Sequence, residues 1–157
     1  VNPKETIFDA LLACLSSKLD DITRAARDAA SYATDEESRA ESKWDTQGIE
    51  ASFLAAGQAH IARELAEEID QLVAQRETLL EPRDSVQIGA LIHCELQHGK
   101  ETFFLVPTAG GNTVRCGERE VTTITPATPI GVALIGRTAP TPFNLPNGRP
   151  ARLVAVE

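Results

Sequence analysis

Two stretches of the chain repeat apolar residues at three- and four-residue steps, and beyond them the pattern breaks into short β-branched runs. Residues 4–33 place Ile7, Leu11, Leu15, Leu19, Ile22, Ala26 and Ala29 on one helical stripe, with Lys18, Asp20, Arg24 and Arg27 between them. Pro3 stands at the entrance, where its fixed φ suits a first helical turn. Residues 49–80 repeat the pattern with Ile49, Phe53, Ala56, Ile61, Leu65, Ile69, Leu72 and Leu79, and Pro82 closes it. Two such stripes joined by a short polar segment predict an antiparallel coiled-coil hairpin over residues 1–81. Alanines 25, 26, 29 and 30 facing alanines 55, 56, 59 and 62 form a seam that lets the helices approach closely, with charges on the outer face. Thirty residues at 1.5 Å each give a stalk of roughly 45 Å.

The joining segment, Thr34–Glu50, holds six acids (Asp35, Glu36, Glu37, Glu41, Asp45, Glu50) against two bases, Arg39 and Lys43. Thr34–Glu37 and Ser38–Glu41 both read as capping boxes, and Asp45–Thr46 offers a third helix start. The turn is therefore placed at about 34–48 and no more finely. An exposed charge run of this kind is most often a solvated turn.

After Pro82, VQIGALIHCEL, KETFFLVP, EVTTIT and ARLVAVE read as strands, bounded by the turns HGK, AGGN and NLPNGR. PATPIGVALIGR, residues 126–137, has the prolines and apolar face of a short helix. Ile130, Leu134 and Ile135 are expected in the core there, with Gly131 and Gly136 allowing tight packing and turns. Residues 82–157 are thus expected to form a small, mostly antiparallel sheet domain with one short helix, making the whole chain α+β.

Charge sharpens this division. Residues 1–80 carry 16 acids and 8 bases, whereas residues 81–157 carry 7 of each. That distribution disfavours nucleic acid as the direct partner, since phosphate binding is driven by basic surface. Cys14, Cys94 and Cys116 show no ligand spacing and read as unreactive thiols in a reducing compartment. No apolar run approaches the ~20 residues needed to cross a bilayer. The first residues lack the basic-then-apolar pattern of a signal peptide, so a cytoplasmic location is expected. His60, His93 and His98 form no ligand or nucleophile–base arrangement, and Gly110-Gly111 is an ordinary turn rather than part of a phosphate-binding loop.

Thr128-Pro129-Ile130-Gly131-Val132-Ala133-Leu134-Ile135-Gly136-Arg137 resembles the C-terminal signature of the bacterial Gre transcript-cleavage factors (GreA/GreB-like), a serine-proline followed by an apolar G-x-A-L-x-G-[K/R] run. Ile88-Gly89, Ile124 with Pro126, and Asn147-Gly148 extend the likeness, and the order of parts matches. The resemblance implies an FKBP-like C-terminal domain that docks on bacterial RNA polymerase, with Pro129, Gly131, Gly136 and Arg137 as candidate docking residues. It implies a hairpin entering the secondary channel, and Asp35, Glu36, Glu37 and Glu41 as candidate tip carboxylates near the nascent RNA 3′ end. Such a factor is no enzyme and holds no cofactor or metal alone. It adds hard oxygen ligands to Mg²⁺ of the polymerase, acts as a monomer and needs no membrane.

The tip departs from the family's D-[apolar]-x-E-N-x-E-Y run: Asp35–Glu41 and Glu41–Trp44 are the nearest fits, and neither reproduces it. Trp44 reads either as a staple on the hairpin or as a contact in the channel. The departure keeps open a non-cleaving modulator or inhibitor of the polymerase. A reading from another class is an FKBP-like peptidyl-prolyl isomerase, disfavoured because residues 81–157 offer only Phe103, Phe104 and Phe143 for an aromatic pocket. A dimerising coiled-coil scaffold, the third reading, would need an apolar outer face on the hairpin.

Overall fold

The computed structural model describes residues 2–39 and 46–157, with side chains for 2–32 and 53–157. Helix α1 runs unbroken over Pro3–Arg39 and α2 over Thr46–Ala74. A short α3, Arg76–Leu80, ends where the backbone turns extended at Glu81, before Pro82. The backbone is therefore helical through Thr34–Arg39, past the first two candidate caps, and helical again from Thr46, beside the third.

Contacts divide the chain into two compact units: Val1–Ala13 with Asp70–Glu157, and Cys14–Ile69. The second is the helical hairpin. Thr23, Ala26, Arg27 and Ala30 line one groove together with Ala55, Ala59, Ala62 and Arg63, so the alanine seam runs antiparallel along both helices. Leu15 and Ala29 are buried there, as their stripe requires.

The second stripe holds from Leu65 to Leu79, with Leu72 and Leu79 fully buried, but not at Phe53 and Ile61. Phe53 is 75% exposed, Leu54 56% and Ile61 46%. Ala55, Ala59 and Ala62, expected in the seam, and Leu65 and Ile69, expected in the stripe, hold the seam side in steps of three and four. The small residues take the seam because close helix approach leaves no room for a phenyl ring, and the larger side chains rotate outward. The outer face is consequently not charged throughout, contrary to the expectation used against a scaffold.

The other unit holds a six-stranded sheet: β1 Leu91–Leu96, β2 Gly99–Leu105, β3 Thr113–Cys116, β4 Arg119–Ile124, β5 Thr141–Asn144 and β6 Pro150–Val156. Their spatial order is β3-β4-β2-β1-β6-β5. The sheet is mostly antiparallel, as expected, with one parallel pair: β4 runs parallel to β2, with Thr102 opposite Val121 and Leu105 opposite Ile124. The cause is β3, a four-residue strand that pairs antiparallel with β4 on its outer side and so sends β4 back along β2. Helix α4, Pro129–Leu134, is the expected short helix.

One face of the sheet packs a core of Val86, Ala90, Ile92, Phe103, Leu105, Ile124, Leu134, Phe143 and Leu153. Ile7, Phe8, Leu11, Leu72, Leu79, Leu91 and Phe104 are also fully buried in this unit. The Arg76 guanidinium lies 5.1 Å from the Phe8 ring centre and 2.9 Å from Asp9 Oδ1, joining the start of α1 to α3. Lys4, 2% exposed, is a buried cation of this unit. Its Nζ donates to the carbonyls of Glu81 and Gly89, both at 2.6 Å. Burial, then the neighbouring Arg83, lowers the Lys4 pKa from 10.5 to about 8.

Candidate functional site

The Thr128–Arg137 segment is built by local chemistry that its sequence makes possible. Thr128 is the N-cap of α4: its Oγ1 accepts from the Gly131 N–H at 3.3 Å and donates to the Thr125 carbonyl at 2.7 Å. Pro129 occupies the first helical turn, where no N–H is required. Gly131 packs so tightly on the Thr125–Thr128 turn that a Cβ there would lie 1.9 Å from the Thr125 carbonyl oxygen. No other residue fits without moving backbone.

Gly136 has φ +82°, the left-handed conformation that ends a helix. Its N–H donates to the Val86 carbonyl at 2.8 Å, and the Val86 N–H donates in return to the Arg137 carbonyl at 2.8 Å. Arg137 Nε donates to the Ala133 carbonyl at 2.7 Å, covering the C-terminal end of α4. Each of the four candidate docking residues thus has a structural task in the segment. The side chains the segment offers to solvent are different ones: Val132 is 61% exposed and Ile135 47%. Sequence reasoning placed Ile135 in the core and passed over Val132. The signal that finds them is helical phase, since Gly131 and Leu134 face inward.

The acidic candidates lie in the hairpin. Asp35, Glu36 and Glu37 fall on α1, whose backbone continues to Arg39; their side chains lie outside the described residues. Glu41, Trp44 and Asp45 lie outside the described residues altogether. Among the described residues, no three His, Cys, Asp or Glu side chains are grouped to hold a metal ion. No described helix is long and apolar enough to cross a membrane.

Other groups with chemical potential are committed to structure. Phe103, Phe104 and Phe143 are each 5% exposed or less, so they are not available to wall a prolyl pocket. The cysteines are free thiols; burial, then Glu101, pushes the Cys94 thiol up to about 12, which leaves it unreactive at neutral pH. His98 Nε2 meets Glu101 Oε1 at 2.7 Å on the surface.

No family model matches the chain, and no curated protein matches it. Among solved structures it is similar to the GreA factor homolog 1 (Gfh1) of Thermus thermophilus, at 20% identity over 94% of this chain and 95% of that one, with a TM-score of 0.37. A second structure, of the transcription factor Gfh1, gives 20% identity, 94% coverage of each chain and a TM-score of 0.39. Thermus aquaticus Gfh1 gives 17%, 95% of each chain and 0.34. Superpositions this loose carry no functional weight.

Proposed function

We propose that the chain is a Gre-type factor that binds bacterial RNA polymerase at its secondary channel and is not itself an enzyme. The observation that carries this reading is the Thr128–Arg137 segment. Its glycine contact with Thr125, threonine cap and Val86 staple give a physical reason for the residue types that make it resemble the Gre signature. In this reading the segment presents Val132 and Ile135 to the polymerase, on a base held in shape by Pro129, Gly131, Gly136 and Arg137. The hairpin supplies reach, and Thr34–Glu50 supplies negative charge near the RNA 3′ end. Asp35, Glu36, Glu37 and Glu41 are the carboxylates proposed to act, a donor set of hard oxygens suited to the Mg²⁺ of the polymerase. We place the factor in the cytoplasm as a monomer.

The test is cleavage of a stalled, backtracked elongation complex with and without the protein. Stimulated cleavage that disappears when all four acids become Ala, with polymerase binding retained, supports the cleavage factor. A second reading, a non-cleaving modulator, is favoured by the absence of the family's acidic run at 34–50. It predicts binding and altered elongation with no cleavage at any concentration. Failure to bind polymerase at all rejects both.

A further inference from the structure

We propose that the hairpin carries an apolar collar beside its acidic segment, built from Tyr32, Phe53, Leu54 and Ile61, and that an apolar ledge of the polymerase seats on it next to a cation-bearing cavity. The inference rests on the polymerase reading and names a further point of contact within it. Among the described residues of the Cys14–Ile69 unit, these four are the large hydrophobic side chains that face water. All lie toward Thr34–Glu50. Further along α2 the exposed positions are Arg63, Glu64 and Glu67. The outer face thus changes from apolar to charged along one helix. Helical spacing puts Phe53, Leu54 and Ile61 on one side of α2. Gly57 lies between Phe53 and Ile61, and a Cβ there would meet nothing within 4 Å, so the face is notched at its middle. Across the hairpin, Ala30 and Ala55 line one groove with Ala26 and Ala59. Two residues on along α1 and two back along α2 stand Tyr32 and Phe53, at one level of the antiparallel pair.

Folding alone gives no reason for this collar. Alanines close the seam, and Phe53, Leu54 and Ile61 point away from it. Phe and Ile are also poorer helix formers than the Arg and Glu that hold the outer face further along. Clustered apolar side chains rimmed by charge mark a contact surface. Charge then selects the occupant. Thr34–Glu50, six acids against two bases, adjoins the collar in sequence on both helices. An anionic lipid surface repels that segment. A second copy is disfavoured too, because the Cys14–Ile69 unit carries twelve acids against six bases and repels its own kind. A partner with an apolar ledge beside held cations complements both parts at once. In the polymerase reading, Mg²⁺ supplies that cation. The two parts then divide the work: the collar gives affinity by burial, and the acids give charge. That division is why binding should survive replacement of Asp35, Glu36, Glu37 and Glu41.

The experiment measures binding of the labelled full chain to bacterial RNA polymerase core enzyme without nucleic acid. It compares the parent, Phe53→Gln with Ile61→Gln, Leu54→Gln alone, and Glu67→Gln on the charged part of the face. Glutamine keeps helix propensity while removing apolar surface, and unchanged thermal melts verify the fold of these exposed-site variants. The double variant should bind at least about tenfold more weakly, Leu54→Gln should lose less, and Glu67→Gln should stay within about twofold of the parent. A parent that binds and a double variant that binds equally well overturns the collar and leaves the polymerase reading standing. Equal weakening by Glu67→Gln overturns it as well, since the loss is then not one of apolar contact. A parent that does not bind overturns both. Sedimentation of the free chain at about 100 μM tests the other occupant. A parent dimer that the double variant abolishes assigns the face to a second copy and overturns the proposal, whereas monomers throughout support it.

Discussion

In the unit that holds the sheet, Phe8, Phe104, Leu79, Leu91 and Leu153 are all fully buried, and apolar side chains close over both faces of part of the sheet. In the Cys14–Ile69 unit, Leu15 and Ala29 are the buried residues among those described, while Phe53, Leu54 and Ile61 face water. The first is secured by large side chains that exclude solvent, the second by alanines that bring two backbones close and by helix propensity. The sheet unit thus has its shape fixed by buried bulk, whereas the helical hairpin buries little. The same substitution should therefore have very different consequences in the two.

Truncating a core phenyl gives the largest effect. Phe104→Ala should cost about 3–5 kcal/mol, the loss of a fully buried ring plus the cavity left behind. Phe53→Ala, the same change on the 75% exposed position, should lie within about 0.5 kcal/mol of the parent. Urea denaturation followed by circular dichroism measures both; a cost at Phe53 approaching that at Phe104 would mean the two units are not built differently.

Next in size is Gly131→Ala. The added methyl meets the Thr125 carbonyl oxygen at 1.9 Å, so α4 or its preceding turn must shift, at a cost of about 3 kcal/mol. The same variant should lose polymerase binding if the base positions Val132 and Ile135, whereas Val132→Ser should lose binding with the fold intact. Retained binding in both would separate the segment's structure from any docking role.

Legibility in the sequence divides along the same line. The α1 stripe was readable because Ile7, Leu11 and Leu15 are large, periodic and buried. In α2 the alanine seam of Ala55, Ala59 and Ala62 was legible from its spacing, whereas Phe53 and Ile61, assigned to the stripe by their size, face water. Strands β3 and β5 left little trace, since each has only four residues and is defined by its partner rather than by its own composition. In the Thr128–Arg137 segment the short helix and the roles of Gly131 and Gly136 were legible because their constraints are local, whereas the exposure of Val132 and Ile135 was not. Lys4 was invisible as a buried group. A lysine in a first helical turn reads as solvated, and only the fold brings the carbonyls of Glu81 and Gly89 to its amine.

That lysine gives the sheet unit a pH dependence of its own. With the folded pKa near 8 against 10.5, the unfolded chain holds more protons between those values, so stability rises with pH across that window and falls away toward pH 8. Cys94 acts oppositely above its ordinary 9, because its raised pKa of about 12 makes the folded state the more protonated one. The clean interval is pH 8 to 9, where the gain should be about 1 kcal/mol. Lys4→Met should remove that gain. It should also destabilise by about 1–3 kcal/mol at pH 7 by leaving two carbonyls without a donor. Denaturation midpoints for both proteins at pH 7, 8 and 9 test the sign; a parent curve that falls over the interval would show that Lys4 is not desolvated.

The smallest effect is of opposite sign and belongs to the hairpin. Gly57 lies inside α2, and a Cβ added there meets no atom within 4 Å. A glycine in a helix interior costs about 0.5–1 kcal/mol relative to alanine, through the freedom it retains in the unfolded chain. Gly57→Ala should therefore stabilise the hairpin by that amount, where Gly131→Ala disrupts the base by several times as much. Amide exchange resolves the two units: the gain should appear in residues 53–69 and leave β1, β2 and β6 unchanged. A gain spread evenly over the sheet would mean that the units unfold together, and that the hairpin draws its stability from the sheet unit rather than from its own helices.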